Sequence, residues 1–164
     1  MKVAPLLTLI LLGNTLGAQV FTEVPPALLP FAGVYYSASA FADVDGDGDQ
    51  DLLITGKNEQ DTLVAELYTN DGSGGFTLVL GTPFTGVYFG AASFADIDGD
   101  GDQDVLIAGS LETASAFETE SFIGMYTNDG AGNFTLLNGT PFIGVGRCTI
   151  NFEDVDGDGD QDVL

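Results

Sequence analysis

The sequence DVDGDGDQD at residues 43–51 decides how this chain is organised, and it recurs as DIDGDGDQD at 96–104 and DVDGDGDQD at 154–162. Aspartate stands at loop positions 1, 3, 5, 7 and 9, and glycine at position 6. The carboxylates of Asp43, Asp45, Asp47 and Asp51 can converge only if a cation neutralises their repulsion. Glycine at position 6 permits the sharp turn, and the carbonyl of Asp49 at position 7 adds a further oxygen. The pattern predicts that the loop wraps around one hard cation.

A solvated acidic turn is the simpler interpretation of a single loop of this kind. Three near-identical copies at matched places in a longer repeat argue against it. Ca²⁺ is the cation that oxygen-rich loops with this spacing bind. We therefore expect a calcium-binding repeat protein with about three sites.

Composition favours short strands joined by tight turns. The 164 residues include 23 glycines, 12 phenylalanines and 5 tyrosines. The formal net charge is −22, and the loops hold 15 of the 25 acidic residues, so the acidity does not indicate a disordered tail. With only three basic residues, the chain is not expected to bind nucleic acid.

The absence of histidine excludes Ser-His-Asp and Cys-His catalytic arrangements and the usual zinc sites. A carboxylate-only mechanism such as glycoside hydrolysis would need acidic residues outside the loops. We interpret the candidates as solvated surface charges: Glu112, Glu118, Glu120 and Glu153. We do not expect an enzyme within these residues. The alternative is the non-catalytic propeller portion of a larger secreted enzyme, for example a polysaccharide-degrading one, with its catalytic domain beyond residue 164.

Residues 1–18 predict a secretory signal peptide. Lys2 supplies the charged start, residues 3–12 are apolar, and residues 16–18 end in small side chains. The apolar run is shorter than the roughly 20 residues that span a membrane, so no transmembrane segment is expected. The predicted localisation is secreted or cell-surface, where millimolar calcium fills weak sites.

The loops mark a repeat with periods of 53 and 58 residues, measured between their first aspartates. Each unit is predicted to contain four strands. The first precedes the loop, and the second is a short strand closed by Gly56 in the first unit and by Gly109 in the second. The third ends in an Asn-Asp-Gly turn, and the fourth lies at 76–79 in the first unit and at 134–137 in the second. Four short antiparallel strands per unit of this length are typical of an all-β propeller blade.

The ends of the repeat region suggest an incomplete propeller of about three units. Residues 21–24 resemble the fourth strand and precede the first full unit, while the chain stops inside the third unit. We therefore expect the repeat region to occupy residues 19–164 and to be the N-terminal part of a propeller that is truncated at its C-terminus.

The string FGAASF at 89–94 and the segments YTNDGxGxF at 68–76 and 126–134 accompany the acidic loops. Together they resemble FG-GAP/VCBS-type repeats, which form the blades of the integrin alpha-subunit propeller and of many secreted bacterial proteins. Tyr36-Ser37 and Arg147-Cys148 replace Phe-Gly in the other units, which favours the bacterial type. The resemblance implies a seven-bladed propeller with Ca²⁺ in the loops between the first two strands of certain blades.

The resemblance also implies the ligands in every copy. Side chains at positions 1, 3, 5 and 9 and carbonyls at position 7 carry over to Asp43, Asp45, Asp47, Asp49, Asp51, Asp96, Asp98, Asp100, Asp102, Asp104, Asp154, Asp156, Asp158, Asp160 and Asp162.

Other calcium motifs fit less well. An EF-hand or dockerin loop needs an acidic residue at position 12, where Ile54 and Ile107 stand. Nonapeptide toxin repeats would recur every nine residues. A linear calcium-stiffened stalk and a spacer that holds another domain away from the surface remain alternatives.

The leading hypothesis is a binding module with structural calcium and an extracellular protein or carbohydrate partner. The five extra residues of the second period fall within 111–121, a connection longer than 57–66, and exposed loops of this kind often contact partners. Cys148 is the only cysteine, so no internal disulfide forms, and we interpret it as a buried packing thiol on an apolar strand.

Overall fold

A computed structural model of the chain describes residues 30–31, 33–112 and 119–164. These residues form ten β-strands and no helix. The predicted signal peptide at 1–18 and the predicted strand at 21–24 lie outside them. Within the described ranges, therefore, no helix is long and apolar enough to cross a membrane.

Two units each form a four-stranded antiparallel sheet in which the strands lie in chain order. The first comprises β1 (Val34–Ala42), β2 (Asp51–Asn58), β3 (Leu63–Asn70) and β4 (Phe76–Leu78). The second comprises β5 (Tyr88–Ala95), β6 (Asp104–Glu112), β7 (Thr119–Asn128) and β8 (Phe134–Leu136). A third unit contributes the pair β9 (Phe152–Glu153) and β10 (Asp162–Val163). The predicted all-β class with four-stranded units is confirmed, and the sheets do not close into a ring.

The core lies between the two complete sheets, where β1 packs beside β5. Leu53 and Leu67 from the first sheet join Val105, Ile107 and Tyr126 from the second, and each is at most 1% exposed. Burying an aliphatic side chain of this size contributes about 1.5–3 kcal/mol. Packing between units therefore stabilises the fold, as expected of a repeat protein.

A glycine permits close packing where the second unit begins. A Cβ added to Gly86 would lie 2.7 Å from the main-chain carbon of Leu63 and 2.7 Å from the nitrogen of Val64, both at the start of β3. Gly33 occupies the same repeat position in the first unit, and the nearest atom to its added Cβ is 3.9 Å away. The requirement for glycine here comes from the neighbouring unit.

The predicted ends of the second strands are wrong. β2 continues through Gly56 to Asn58, and β6 continues through Gly109 to Glu112. A Cβ on Gly109 would lie 2.8 Å from the Cβ of Val87, so this glycine permits a close approach of the preceding chain segment. The glycines therefore mark tight packing within a continuing strand.

Two other predictions need correction. The connection expected at 111–121 is shorter, because Leu111 and Glu112 belong to β6 and β7 begins at Thr119; residues 113–118 lie outside the described residues. Cys148 lies outside any strand and is half-buried, with its Sγ 3.9 Å from the carbonyl oxygen of Val145. In the third unit, the segment before the loop forms a strand only at Phe152–Glu153, which does not reach Cys148. Cys148 is therefore not the buried strand thiol that was predicted.

Candidate metal centres

Each acidic loop joins the first two strands of its unit. In the first unit β1 ends at Ala42 and β2 begins at Asp51, and these two residues pair across the hairpin. Ala95 and Asp104 form the same pair in the second unit. Loop position 9 is therefore the first residue of the second strand, and the sheet holds it opposite the start of the loop.

Three carboxylates come together in every loop, at positions 1, 3 and 9. Their oxygen atoms lie within 4.8 Å of one another in three groups, which we call the carboxylate triads: Asp43, Asp45 and Asp51; Asp96, Asp98 and Asp104; Asp154, Asp156 and Asp162. The repeat thus places equivalent residues in equivalent positions three times.

Main-chain N–H groups hold the carboxylate at position 1. Asp43 Oδ1 accepts the N–H of Gly46 at 2.8 Å, and its Oδ2 accepts the N–H of Gly48 at 2.9 Å. The carboxylates of Asp96 and Asp154 accept the equivalent bonds at 2.7–3.1 Å. Glycine at position 6 has φ of 94°, 97° and 98° in the three loops, so the turn predicted from the sequence is confirmed.

The carboxylate at position 9 ties the loop to the third strand. Asp51 Oδ2 accepts the N–H of Val44 at 2.9 Å, and its Oδ1 accepts the N–H of Asn70 at 2.8 Å. Asp104 makes the same two bonds, to Ile97 at 2.9 Å and to Asn128 at 2.8 Å. Asp51 and Asp104 are both fully buried, so these bonds compensate much of the cost of burying the carboxylates.

The side chain at position 5 lies outside the triads. Asp47 Oδ1 accepts the N–H of Asp49 at 2.9 Å, and Asp100 and Asp158 make the same contact with position 7 at 2.9 and 3.0 Å. The four-carboxylate ligand set predicted from the sequence therefore divides into three converging groups and one that supports the turn.

The side chain at position 7 lies against the Asn-Asp-Gly turn of its own unit. A Cβ added to Gly72 would overlap the carboxylate of Asp49, and one added to Gly130 would overlap that of Asp102. Gly72 and Gly130 have φ of 70° and 74°. The side chain at position 7 thus packs on the turn rather than joining the carboxylate triad.

Burial and mutual repulsion act on the loop carboxyls. Burial raises the pKa of Asp51, the N–H groups of Val44 and Asn70 oppose this, and the charges of Asp45 and Asp47 reinforce it. Desolvation raises the pKa of Asp98, and the charges of Asp104 and Asp100 add to that shift. In both loops, negative charges are held together at a cost that a bound cation would relieve.

The two cations of the described residues lie away from the triads. Lys57 forms an ion pair with Glu112 and lies 4.7 Å from the ring centroid of Tyr88. The guanidinium of Arg147 lies 4.9 Å from the ring centroid of Phe89. The donor set at each triad consists of hard carboxylate oxygens that no cation of the described residues balances, and such a set fits Ca²⁺.

The third loop keeps the local geometry without the burial. Asp162 Oδ2 accepts the N–H of Val155 at 3.0 Å, as in the other loops. Asp162 is exposed, and nothing in the described part of the third unit takes the place of Asn70 or Asn128. The loop and one hairpin are therefore enough to bring the three carboxylates together. Burial of the carboxylate at position 9 occurs in the two units that have a third strand.

Sequence reasoning missed Asn70, Asn128 and Val44 as residues of the site. The Asn-Asp-Gly turns were interpreted as chain reversals and as part of the repeat motif, and not as partners of the acidic loops. The available signal was that such a turn follows the second strand after each of the first two loops, with Asn70 19 residues after Asp51 and Asn128 24 residues after Asp104.

Comparison with known protein families gives one match. Residues 43–107 match the model of the FG-GAP-like repeat, a segment that contains the first two acidic loops and strands β2 to β5. Comparison with curated proteins and with solved structures gives no match. Residues 43–107 are therefore similar to an FG-GAP-like repeat, and the third acidic loop and the remaining strands of the second four-stranded unit lie beyond this segment.

Proposed function

We propose that this chain is a calcium-binding repeat module, secreted or displayed at the cell surface, that mediates adhesion or binding to an extracellular protein or carbohydrate. One observation carries the proposal. The same carboxylate triad, held by equivalent hydrogen bonds, occurs in three successive units.

The chemistry of the triads supports Ca²⁺ as the bound ion. Carboxylates within 4.8 Å of one another repel strongly unless a cation lies between them. Ca²⁺ accepts six to eight oxygen ligands in flexible geometry, whereas Mg²⁺ requires a near-ideal octahedron and keeps several waters. Loop carbonyls at position 7 and solvent can complete a calcium shell around each triad.

The position of the loops supports a structural role for the ion. Each triad joins the end of one strand, through positions 1 and 3, to the start of the next, through position 9. Cys148 is the only cysteine, so a disulfide cannot take over this function within the chain. A cation at each triad would fasten the hairpin at the point where its carboxylates repel.

A cluster of aromatic residues supports the binding role. Tyr36 and Phe89 stack with ring centroids 4.1 Å apart, and Tyr35 lies beside Tyr36 at 5.0 Å. Tyr36 is 52% exposed and lies near the start of β1, at the opposite end of that strand from the metal loop. Exposed aromatic rings with neighbouring Lys57 and Arg147 suit contact with a saccharide or a protein surface.

We interpret the carboxylates outside the loops as surface groups, and we propose that the module is not catalytic. Glu112 forms an ion pair with Lys57, and Glu120 and Glu153 are exposed. Glu118 lies outside the described residues. If the module belongs to a larger secreted enzyme, its chemistry would lie in another domain.

Calorimetric titration of the chelator-treated full chain with Ca²⁺ tests the metal function. Saturable binding at about three sites is the expected result. The matched control carries Asp45→Ala, Asp98→Ala and Asp156→Ala together, which removes the position 3 side chain from every triad, and it should bind no calcium at the same concentrations. A flat titration of the unmodified chain would contradict the proposal.

A glycan array tests the aromatic cluster. Binding by the unmodified chain should be lost in Tyr36→Ala and kept in Leu80→Ala, because Leu80 is 84% exposed and lies outside the cluster. Equal binding by the two variants would assign the ligand contact to another surface.

A further inference from the structure

The Asn-Asp-Gly turn of the second unit lies against the metal loop of the first. Asn128 Nδ2 donates to the carbonyl oxygen of Val44 at 2.8 Å, although the two residues are 84 positions apart. A Cβ added to Gly46 would lie 3.7 Å from the carbonyl oxygen of Gly130, so the loop passes close to the turn. The first loop is thus packed against a turn from the neighbouring unit.

The same asparagine contacts the second loop. The main-chain N–H of Asn128 donates to Asp104 Oδ1 at 2.8 Å, and its Nδ2 also donates to the carbonyl oxygen of Gln103 at 3.2 Å. Asp104 belongs to the second carboxylate triad. One residue therefore contacts the loops of two candidate cation sites.

Asn128 contacts the first loop at Val44, which lies in the sequence between two aspartates of the first triad, Asp43 and Asp45. The N–H of Val44 donates to Asp51 Oδ2 at 2.9 Å. Asp51, Val44, Asn128 and Asp104 are thus joined by three hydrogen bonds of 2.8–2.9 Å. All four residues are at most 6% exposed, and hydrogen bonds in such surroundings are strong and resist rearrangement.

We propose that Asn128 is a positioning residue that couples the first two cation sites, so that Ca²⁺ bound at either loop raises the affinity of the other. This inference rests on the proposed calcium function. A cation in the second loop fixes Asp104, which holds the main chain of Asn128 and hence its side-chain amide. That amide holds Val44, so less of the first loop remains to be ordered when its own cation binds. The reverse order of binding gives the same coupling free energy.

The first unit contains a matched control. Asn70 makes the equivalent bonds within its own unit: its N–H donates to Asp51 Oδ1 at 2.8 Å and its Nδ2 to the carbonyl oxygen of Gln50 at 3.1 Å. No metal loop precedes it in the described part of the chain, so Asn70 has no counterpart of the bond to Val44. Alanine at either position keeps the main-chain N–H bond to aspartate and removes the amide.

Calorimetry on the full chain measures the coupling. Asp156→Ala removes a ligand oxygen from the third triad and disables it, and adding Asp98→Ala or Asp45→Ala leaves the first or the second site alone. The coupling factor is the product of the two binding constants in the two-site chain, divided by the product of the constants of the isolated sites. We expect a factor of about five or more, falling to about one in Asn128→Ala and unchanged in Asn70→Ala.

The outcomes separate this inference from the calcium function. Binding at both loops with a factor of about one in the two-site chain overturns the coupling and leaves the calcium function standing. No binding in any chain overturns both. An equal fall in Asn70→Ala and Asn128→Ala shows that the bond to Val44 is not responsible. If Asn128→Ala does not fold, Asn128→Leu, which is similar in size and has neither the amide donor nor a charge, replaces it, and the factor in the two-site chain still decides whether the loops are coupled.

Discussion

Asp51 closes the first metal loop by accepting the main-chain N–H of Val44 at 2.9 Å while it is fully buried. The bond crosses the loop from position 9 to position 2, and Asp104 makes it to Ile97 in the second loop. A carboxylate buried in this way must be held by donors, because an unpaired buried charge is costly. Asp51 therefore supports the loop conformation whether or not a cation is bound.

Replacing this carboxylate should destabilise the protein even without calcium. We expect Asp51→Ala to lower the free energy of unfolding by about 1–3 kcal/mol, because the N–H groups of Val44 and Asn70 lose their acceptor in a buried place. Asp162→Ala, the exposed equivalent, should change it by less than about 0.5 kcal/mol. Urea denaturation in excess chelator measures both. Equal losses would show that burial of Asp51 does not matter.

Positions 3 and 5 of the loop should differ in their effect on calcium affinity. Asp45 belongs to the first triad, so Asp45→Asn should weaken the first site by about 10- to 100-fold. Asp47→Asn should weaken it less, because Asp47 lies outside the triad and asparagine can accept the same bond from Asp49. Calorimetry in a chain whose other two triads are disabled gives the two affinities. An equal loss would place Asp47 in the coordination shell, as the loop spacing predicts.

Removing calcium should lower the melting temperature. A site at 100-fold excess of calcium over its dissociation constant contributes about 2.7 kcal/mol, which corresponds to about 5–10 °C for a chain of this length. Differential scanning calorimetry with calcium and with chelator measures the shift, and re-adding calcium should reverse it. The variant with alanine at position 3 of all three triads should melt at the same temperature in both conditions. A chelator effect of the same size in that variant would point to an ion bound elsewhere.

The two glycines at the entry to the first and second units should tolerate substitution differently. Gly86→Ala places a Cβ 2.7 Å from the main chain of β3, which cannot move aside easily, so we expect a loss of about 1–3 kcal/mol in stability. Gly33→Ala meets no atom closer than 3.9 Å and should be neutral or slightly stabilising. Thermal or urea denaturation compares them. A similar loss for both would mean that the packing between units does not require glycine at this position.

The candidate sites were predictable from the sequence where the interactions are local. Asp43 and its donors Gly46 and Gly48 lie within six residues, so the spacing of aspartate and glycine alone specifies the turn. The Asn-Asp-Gly turns and the four strands of a unit follow from short patterns in the same way. The convergence of position 9 with positions 1 and 3 also depends on strand pairing, because the pairing of Ala42 with Asp51 brings Asp51 to the start of the loop.

Features made by residues far apart in the chain were not predictable. Gly109 looked like the end of a strand because glycine is rare inside strands, and only the approach of Val87 explains it. Cys148 occupies a position that is a strand in the first two units, yet the third unit pairs only at Phe152–Glu153. In both cases the local pattern suggested one environment and the neighbouring chain segments supplied another.

The sequence by itself determined the repeat, its period, the acidic loops and the order of strands, because hydrogen bonds across a few residues and the alternation of apolar side chains act locally. Tertiary structure decided which carboxylates converge, how deeply Asp51 and Asp104 are buried, and that Asn128 lies on the loop of the preceding unit. The physical reason is that burial and contacts between units depend on how one sheet packs beside the next, and no short stretch of sequence contains both partners.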